Sequence, residues 1–277
     1  MKAELDPRIV RVGIIIDGNV NWYDDLSIEV KGLKVSEVIM SECEITILNL
    51  RKDVREYILQ ETNPFLDVGN TISVVVEVGR ESYGTTVLYK GRVFRSEPTP
   101  KPNIGVRLSC IQGYDNKASI VSLSGSEISP LSSIAQWVAD ANGYALSFEI
   151  TDKNIGRYSF TGSAQSALSQ LEALCGTDVN VYVDNDTMYV KNRTSASIGG
   201  SVRVLDVYSG LMEAGGTEYG CKVKMLFDNV TKIGGQIDLT SEINPSLNGS
   251  YVVRRLGYHI TSRGQPFYYT AECDRRS

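Results

Sequence analysis

The stretch "GYHITSRGQPFYYTAEC", residues 257–273, contains the only histidine of the chain, His259. Alternating apolar residues on both sides of its Ser-Arg-Gly-Gln segment predict two antiparallel strands joined by a turn. Tyr258 and Ile260 then share one face of the first strand, and His259 lies on the other. A catalytic histidine needs a nucleophile and an orienting carboxylate, and no serine here lies in a Gly-x-Ser-x-Gly elbow. We therefore interpret His259 as one rung of a β-hairpin.

The composition is that of a folded chain without a strong attraction for nucleic acids. Of the 277 residues, 42% are hydrophobic and 22% are charged, which allows one large domain or two to three smaller ones. The net charge is −5 and the pI is about 5.1. Tight binding to phosphates requires a basic patch, so this balance argues against a DNA-binding protein.

The cysteines and the apolar runs also limit the classes of protein to which the chain can belong. Five cysteines are widely spaced, without metal-ligand spacing, and predict buried free thiols in a reducing compartment: Cys43, Cys110, Cys175, Cys221 and Cys273. Asp6 and Pro7 lie where a signal peptide would need an apolar core. The longest apolar runs are too short to span a bilayer. We expect a soluble chain, made in a cytoplasm, without a membrane anchor.

Three units are predicted along the chain. Residues 1–122 form a β-unit, in which Cys43, Ile45 and Ile47 alternate with polar neighbours, interrupted by one helix at 51–62. Residues 123–198 form a small α+β domain with two helices. Ser129 is the predicted N-cap of its first helix, with Pro130 at the first helical position. Residues 199–277 return to strands, and no tandem repeat is visible.

Several acidic residues were considered as sites of chemistry. Asp184 and Asp186 flank Asn185 as in the start of a calcium loop, but the required glycine and closing glutamate are absent, and a hairpin turn explains all three. Glu149 and Glu172 are the carboxylates that a glycosidase-like site would use. There is no phosphate-binding glycine loop. We predict no catalytic, cofactor-binding or metal-binding residue.

The order of elements resembles the phage tail baseplate hub proteins, including the hub of T4-like contractile tails. Four segments carry the resemblance, and they are spread over nearly the whole chain: residues 26–58, the long hairpin "TTVLYKGRVFRSEPTPKPNIGVRLSCIQGY" at 85–114, the α+β block at 158–190, and "NGSYVVRRLGYHITSRGQPFYYTAEC" at 248–273. The first contains "LSIEVKGLKVS" followed by "CEITILNLRKDVREYI". Each motif is short, and the resemblance rests on their sum.

The resemblance implies a fold and a role. The fold class would be mainly β, with two tail-tube-like antiparallel β-barrel domains flanking a small α+β domain. Three chains would form a pseudo-sixfold ring that adapts a hexameric tail tube to a trimeric spike. The chain would be a structural protein of the virion baseplate, not an enzyme, and would need no cofactor.

The expected partners follow from the same resemblance. They are two further copies of the chain, the tail tube protein, the cell-puncturing spike protein and other baseplate proteins. Genomic DNA would pass through the lumen without specific binding, past a wall of net negative or mixed charge. Phe267 and Tyr269 are candidate contacts for the tube or the spike, with barrel core as the alternative.

Three other functions remain open at this point. The first is a distal tail or tube-initiator protein of another tail type, which would more readily form a hexamer. The second is a tail-associated cell-wall hydrolase, and the third is a carbohydrate-binding β-module. Oligomeric state, peptidoglycan degradation and glycan binding, respectively, would distinguish them from a hub.

Overall fold

The computed structural model describes residues 6–63, 65, 71–113 and 119–276. In it, 53% of the chain is strand and 14% is helix. The first five residues, on which part of the signal-peptide argument depends, lie outside the described residues. Among the described ranges, no helix is long and apolar enough to cross a membrane.

The first β-unit contains seven strands and one helix. The strands are β1 (Arg8–Ile16), β2 (Asn19–Tyr23), β3 (Ser27–Val35), β4 (Glu42–Leu48), β5 (Ile72–Arg80), β6 (Gly84–Pro98) and β7 (Gly105–Ile111), and helix α1 (Lys52–Glu61) follows β4. The alternation predicted for β4 is confirmed, since Cys43, Ile45 and Ile47 are all buried. Ile58 of α1 is also fully buried and belongs to the main apolar cluster.

The middle unit has its own small sheets and two helices. Its elements are β8 (Ile120–Ser124), β9 (Ile128–Pro130), α2 (Leu131–Asn142), β10 (Ala145–Glu149), β11 (Asn154–Gly156), β12 (Ser159–Ser163), α3 (Ala164–Cys175), β13 (Val179–Asp184) and β14 (Thr187–Asn192). Strands β10, β14 and β13 form a three-stranded sheet, and β9 pairs with β11 and β8 with β12. The helices and sheets bury a separate apolar cluster.

The start of α2 differs from the prediction. Pro130 precedes the helix in an extended conformation, and Ser129 makes no capping hydrogen bond. Instead, the carboxylate of Asp152 accepts hydrogen bonds from the backbone N–H of Ser132 at 3.0 Å and from its hydroxyl at 2.5 Å. The Ser129 cap was wrong because the partner that satisfies the free N–H group comes from a distant loop.

The second β-unit consists of six strands. They are β15 (Val202–Leu205), β16 (Leu211–Gly216), β17 (Gly220–Leu226), β18 (Gln236–Leu239), β19 (Gly249–Thr261) and β20 (Phe267–Arg275). The hairpin predicted from the opening stretch is β19–β20, with His259 opposite Tyr268. Tyr258 and Ile260 are buried on the core side, as expected.

One sheet joins the two β-units. Thirteen strands are connected, in the order β16-β17-β20-β19-β3-β4-β7-β6-β5-β1-β2, with β18 and β15 attached beside β19. The connection between the units is the antiparallel pair β3–β19, in which Arg255–Thr261 run opposite Glu29–Val35. We call this pair the seam. The buried faces of both units contribute to one continuous apolar cluster.

The two β-units repeat one strand arrangement. In β4–β7, Cys43 lies opposite Cys110. In β17–β20, Cys221 lies opposite Cys273. All four are free and buried. The two cysteine pairs therefore mark equivalent positions in the two units.

The neighbouring strands match in the same way. Val93 of β6 and Val253 of β19 each lie opposite the second cysteine of their unit, and each precedes a register shift of one residue. Gly32 of β3 and Gly216 of β16 each lie opposite the first cysteine. Strands β3, β4, β6 and β7 thus correspond to β16, β17, β19 and β20. The sequence shows no tandem repeat because the equivalent strands share few residue identities, and two like units were expected only from the resemblance.

Candidate functional site

The candidate surface is the face of the large sheet that points away from the core. It includes the outward side chains of β16, β17, β20, β19, β3, β4, β7 and β6, and we call it the polar face. Its charged residues include seven acidic ones, Glu29, Glu42, Glu44, Glu97, Glu213, Glu272 and Asp274, and seven basic ones, Lys31, Arg92, Arg95, Arg107, Lys222, Lys224 and Arg255. The formal charge of these fourteen residues is zero.

The charges of the polar face are paired across strands. Lys222 is 3.0 Å from Glu272 on the next strand, and Lys224 is 3.3 Å from Glu213. The Arg107–Glu44 pair, at 3.7 Å, repeats this on the first unit. Because these side chains are partly exposed, each pair adds little stability. Their combined effect is a mixed surface without a strongly positive patch.

His259 belongs to the polar face at the seam. Its Nε2 atom is 2.7 Å from Glu29 Oε1, and its ring meets that of Tyr268 edge-on. Lys31 is also 2.7 Å from Glu29. Partial burial alone raises the pKa of Glu29, but the hydrogen bonds from Lys31 and His259 outweigh burial and lower it. Glu29 is thus ionised at neutral pH and links the two units in a small charge cluster.

The Asp184–Asp186 turn attaches the middle unit to the first β-unit. The carboxylate of Asp184 is 2.5 Å from the ammonium group of Lys34, and both side chains are nearly buried. Asp186 pairs with Lys90 of β6, and the amide of Gln112 donates to the backbone carbonyl of Asn185. The prediction of a turn is confirmed, and the structure adds that all three turn residues contact the first unit.

Lys191 occupies a second polar junction, between the middle unit and the second β-unit. Its ammonium group donates to the backbone carbonyl of Gly234 at 2.7 Å and to the hydroxyl of Ser197 at 3.1 Å. Only 2% of the residue is exposed. Burial lowers the pKa of Lys191 to about 8, against an opposing effect of the Glu149 carboxylate.

This shift makes the stability depend on pH. Between pH of about 8 and the usual value of 10.5 the unfolded chain keeps the Lys191 proton that the folded chain has lost. The free energy of unfolding therefore rises with pH in this window, by up to about 1.4 kcal/mol per pH unit. We expect the stability of the wild type relative to Lys191→Met to increase between about pH 7 and about pH 9.5 in urea denaturation. A constant difference would contradict this assignment.

The two carboxylates named for a glycosidase-like site serve different local contacts. Glu149 accepts hydrogen bonds from the hydroxyl of Ser147 at 2.8 Å and the backbone N–H of Ile198 at 3.0 Å. Partial burial, followed by the like charge of Glu37, raises the pKa of Glu172. The described contacts do not bring Glu149 and Glu172 together. Within the described ranges, no three acidic, cysteine or histidine residues are grouped as a metal site.

The aromatic residues available to a partner differ from those expected. Phe267 and Tyr269 are only 3% and 2% exposed and pack with Phe227 in the core. Their assignment as contact residues was wrong, and the barrel-core alternative holds. Tyr208, by contrast, is 91% exposed at a turn in which Asp206 accepts hydrogen bonds from backbone N–H groups. The Asp-x-x-Ser spacing around Tyr208 is the signal that could have identified this turn.

Comparison with protein families settles the membership of the chain. Residues 9–273 match the family model described as baseplate hub gp41. The chain belongs to the baseplate hub gp41 family. It is thus a structural phage tail protein, and its family places it in the tail of the virion. A search of curated proteins gives no match.

Solved structures confirm the fold class of this hub-family chain. The 43 kDa tail protein of prophage MuSo2 from Shewanella oneidensis is similar with a TM-score of 0.62 at 11% identity, over 96% of this chain and 98% of that one. The tail protein from Neisseria meningitidis MC58 is similar with a TM-score of 0.63 at 8% identity, over 96% of both chains. The c3393 protein of E. coli is similar with a TM-score of 0.60 at 7% identity, over 95% of this chain and 77% of that one. It is a type VI secretion component described as similar to T4 tail proteins gp27 and gp5.

Proposed function

We propose that the chain is a non-enzymatic baseplate hub that acts as a homotrimer. In this role three copies form a pseudo-sixfold ring between a hexameric tail tube and a threefold spike, beside other baseplate proteins. The three-domain division at 122/123 and 198/199 is part of the proposal. The polar face would line the channel through which genomic DNA passes, without a cofactor and without specific binding.

The strand repeat is the observation that carries this proposal. Two β-units with equivalent cysteine pairs and equivalent bulges lie side by side in one sheet. Three copies of such a chain supply six equivalent units, which is the number that a hexameric tube presents. Closed rings of this kind are specified by a head-to-tail contact whose rotation closes.

The mass of the purified chain in solution tests the trimer. One chain is 30.5 kDa, so the trimer has a mass of 3 × 30.5 = 91.5 kDa. We expect light scattering over a concentration series to approach this value. A stable hexamer would favour a distal tail or tube-initiator protein instead. A mass that stays at that of one chain at all concentrations, together with peptidoglycan-degrading activity, would favour the hydrolase.

The same sample tests the proposed channel wall. A surface of balanced, cross-strand ion pairs holds few phosphates, because each phosphate contact requires a free cation. We therefore expect the trimer to bind duplex DNA weakly at physiological salt. Tight binding that weakens steeply with salt would contradict a channel lined by the polar face.

A further inference from the structure

Two arginines lie directly opposite each other at one end of the β1–β5 strand pair. Arg8 of β1 and Arg80 of β5 are register partners. Each continues the row of buried side chains of its strand, next to Val10 in β1 and next to Val78 in β5. Both guanidinium groups lie over Phe267, with their Cζ atoms 4.5 Å and 5.3 Å from the centroid of its ring. Two positive charges therefore share one small region at the rim of the core.

Neither arginine has an acidic partner in the described part of the chain. Nη1 of Arg8 donates to the backbone carbonyl of Gly264, and Nη1 of Arg80 donates to the backbone carbonyl of Asp6 at 2.7 Å. The carboxylate of Asp6 instead accepts from the backbone N–H and the hydroxyl of Ser82, at 3.1 Å and 2.8 Å. Among these described residues, no ion pair neutralises either guanidinium group. Like charges directly opposite each other destabilise a strand pair.

The same strand pair shows the complementary arrangement three residues further along β1. Arg11 lies opposite Glu77, and its guanidinium group is 2.5 Å from the carboxylate. Arg11 is on the other face of the strand from Arg8, because successive side chains alternate. Burial, followed by the like charge of Arg80, lowers the pKa of Arg8, so its charged form is held at a cost. The arrangement at Arg8 is thus unlike that of its own neighbour.

We propose that Arg8 and Arg80 form a binding site for a phosphate-type oxyanion at the rim of the first β-unit. A guanidinium group presents its N–H donors in a planar fork that matches two oxygens of a phosphate or sulfate. A doubly charged, four-oxygen anion can engage both forks and replaces a repulsion by two attractions. A single carboxylate has one charge and two oxygens, which suits one fork. The site does not depend on the proposed ring, since one chain supplies all of it.

Phe267 holds the two guanidinium groups in place. Guanidinium groups are attracted to the face of an aromatic ring. The Phe267 ring is buried and packs edge-on against Phe227, with their centroids 5.1 Å apart, so the core fixes its position. Arg8 and Arg80 themselves are only half-buried. The site is therefore fixed on its core side and open to an ion from the solvent.

Urea denaturation of the full-length chain, in phosphate and in chloride at equal ionic strength, tests the site. A ligand that binds only the folded state raises the free energy of unfolding as its concentration rises. We expect inorganic phosphate to stabilise the wild type, and its apparent affinity to fall at least about tenfold in Arg8→Gln and in Arg80→Gln. Each variant is compared with itself in the two salts, so a general loss of stability cancels. The stabilisation that phosphate gives without binding is common to all variants.

Arg11→Gln is the matched control, because it removes a guanidinium group from the same strand on the other face. A phosphate effect that is retained in Arg11→Gln and lost in Arg8→Gln and Arg80→Gln would support the site. Equal phosphate effects in the wild type and all three variants would contradict it, and the arginines would then only cover the core. A similar loss in Arg11→Gln would also contradict it, since net charge would explain the result.

A competition experiment identifies the source of the phosphate group. A free ion and the backbone of a nucleic acid share this chemistry, so short duplex DNA is added to the wild type in phosphate. Displacement of inorganic phosphate by the duplex would assign the site to a nucleic acid, and phosphate binding that the duplex leaves unchanged would assign it to a free ion. Both readouts are independent of the mass of the particle, so they are distinct from the test of the trimer.

Discussion

Gly32→Ala is expected to destabilise the chain strongly at the seam. A Cβ atom on Gly32 would lie 2.2 Å from the hydroxyl oxygen of Tyr258 and 2.6 Å from the backbone carbonyl oxygen of Glu42. The side chain of Tyr258 is buried and packs over Gly32. Neither this side chain nor the backbone of Glu42 can therefore move away without disturbing the core. Overpacking of this kind costs about 1–3 kcal/mol, and more where backbone must shift. Chemical denaturation of the full-length chain measures the loss.

A second glycine of the seam provides the control. Gly257 lies opposite Leu33 in the same strand pair. A Cβ atom there would lie 3.5 Å from the backbone oxygen of Thr270, which is ordinary contact. We therefore expect Gly257→Ala to stay close to the wild type. Equal losses of stability in Gly32→Ala and Gly257→Ala would mean that the Tyr258 contact is not what restricts Gly32.

Asp184→Ala, at the junction with the middle unit, should lower the stability by as much as Gly32→Ala or more. The substitution leaves the ammonium group of Lys34 buried without its carboxylate, at a site where the two side chains are only 7% and 13% exposed. Removing one partner of a buried pair typically costs about 3–5 kcal/mol. The double variant Lys34→Met/Asp184→Leu removes both charges and is expected to recover much of that loss.

An exposed pair is the matched control for this prediction. Arg51 and Asp53 are 2.6 Å apart, but their side chains are 77% and 63% exposed. Because water solvates both groups without the partner, Asp53→Ala should lower the stability far less than Asp184→Ala. If Asp53→Ala and Asp184→Ala had the same effect on urea denaturation, burial would not be what makes the Lys34 contact important.

The sequence was informative where structure depends on near neighbours. Alternating side chains predicted the buried face of β4, and the helix predicted at 51–62 is α1, Lys52–Glu61. The assignment of His259 to a hairpin followed from the same local pattern. The resemblance carried by four short segments led to the hub family, which the family match confirmed.

The sequence alone determined the buried face of β4, the β19–β20 hairpin with Tyr258 and Ile260 on its core side, and the family of the chain. The tertiary structure alone decided that β3 joins β19, that Phe267 and Tyr269 are covered, and that the two β-units are equivalent. The physical reason is that alternation assigns a side chain to one face of a strand, whereas the neighbour that covers this face is set by strand pairing. In the seam, those partners are more than two hundred residues apart in the chain.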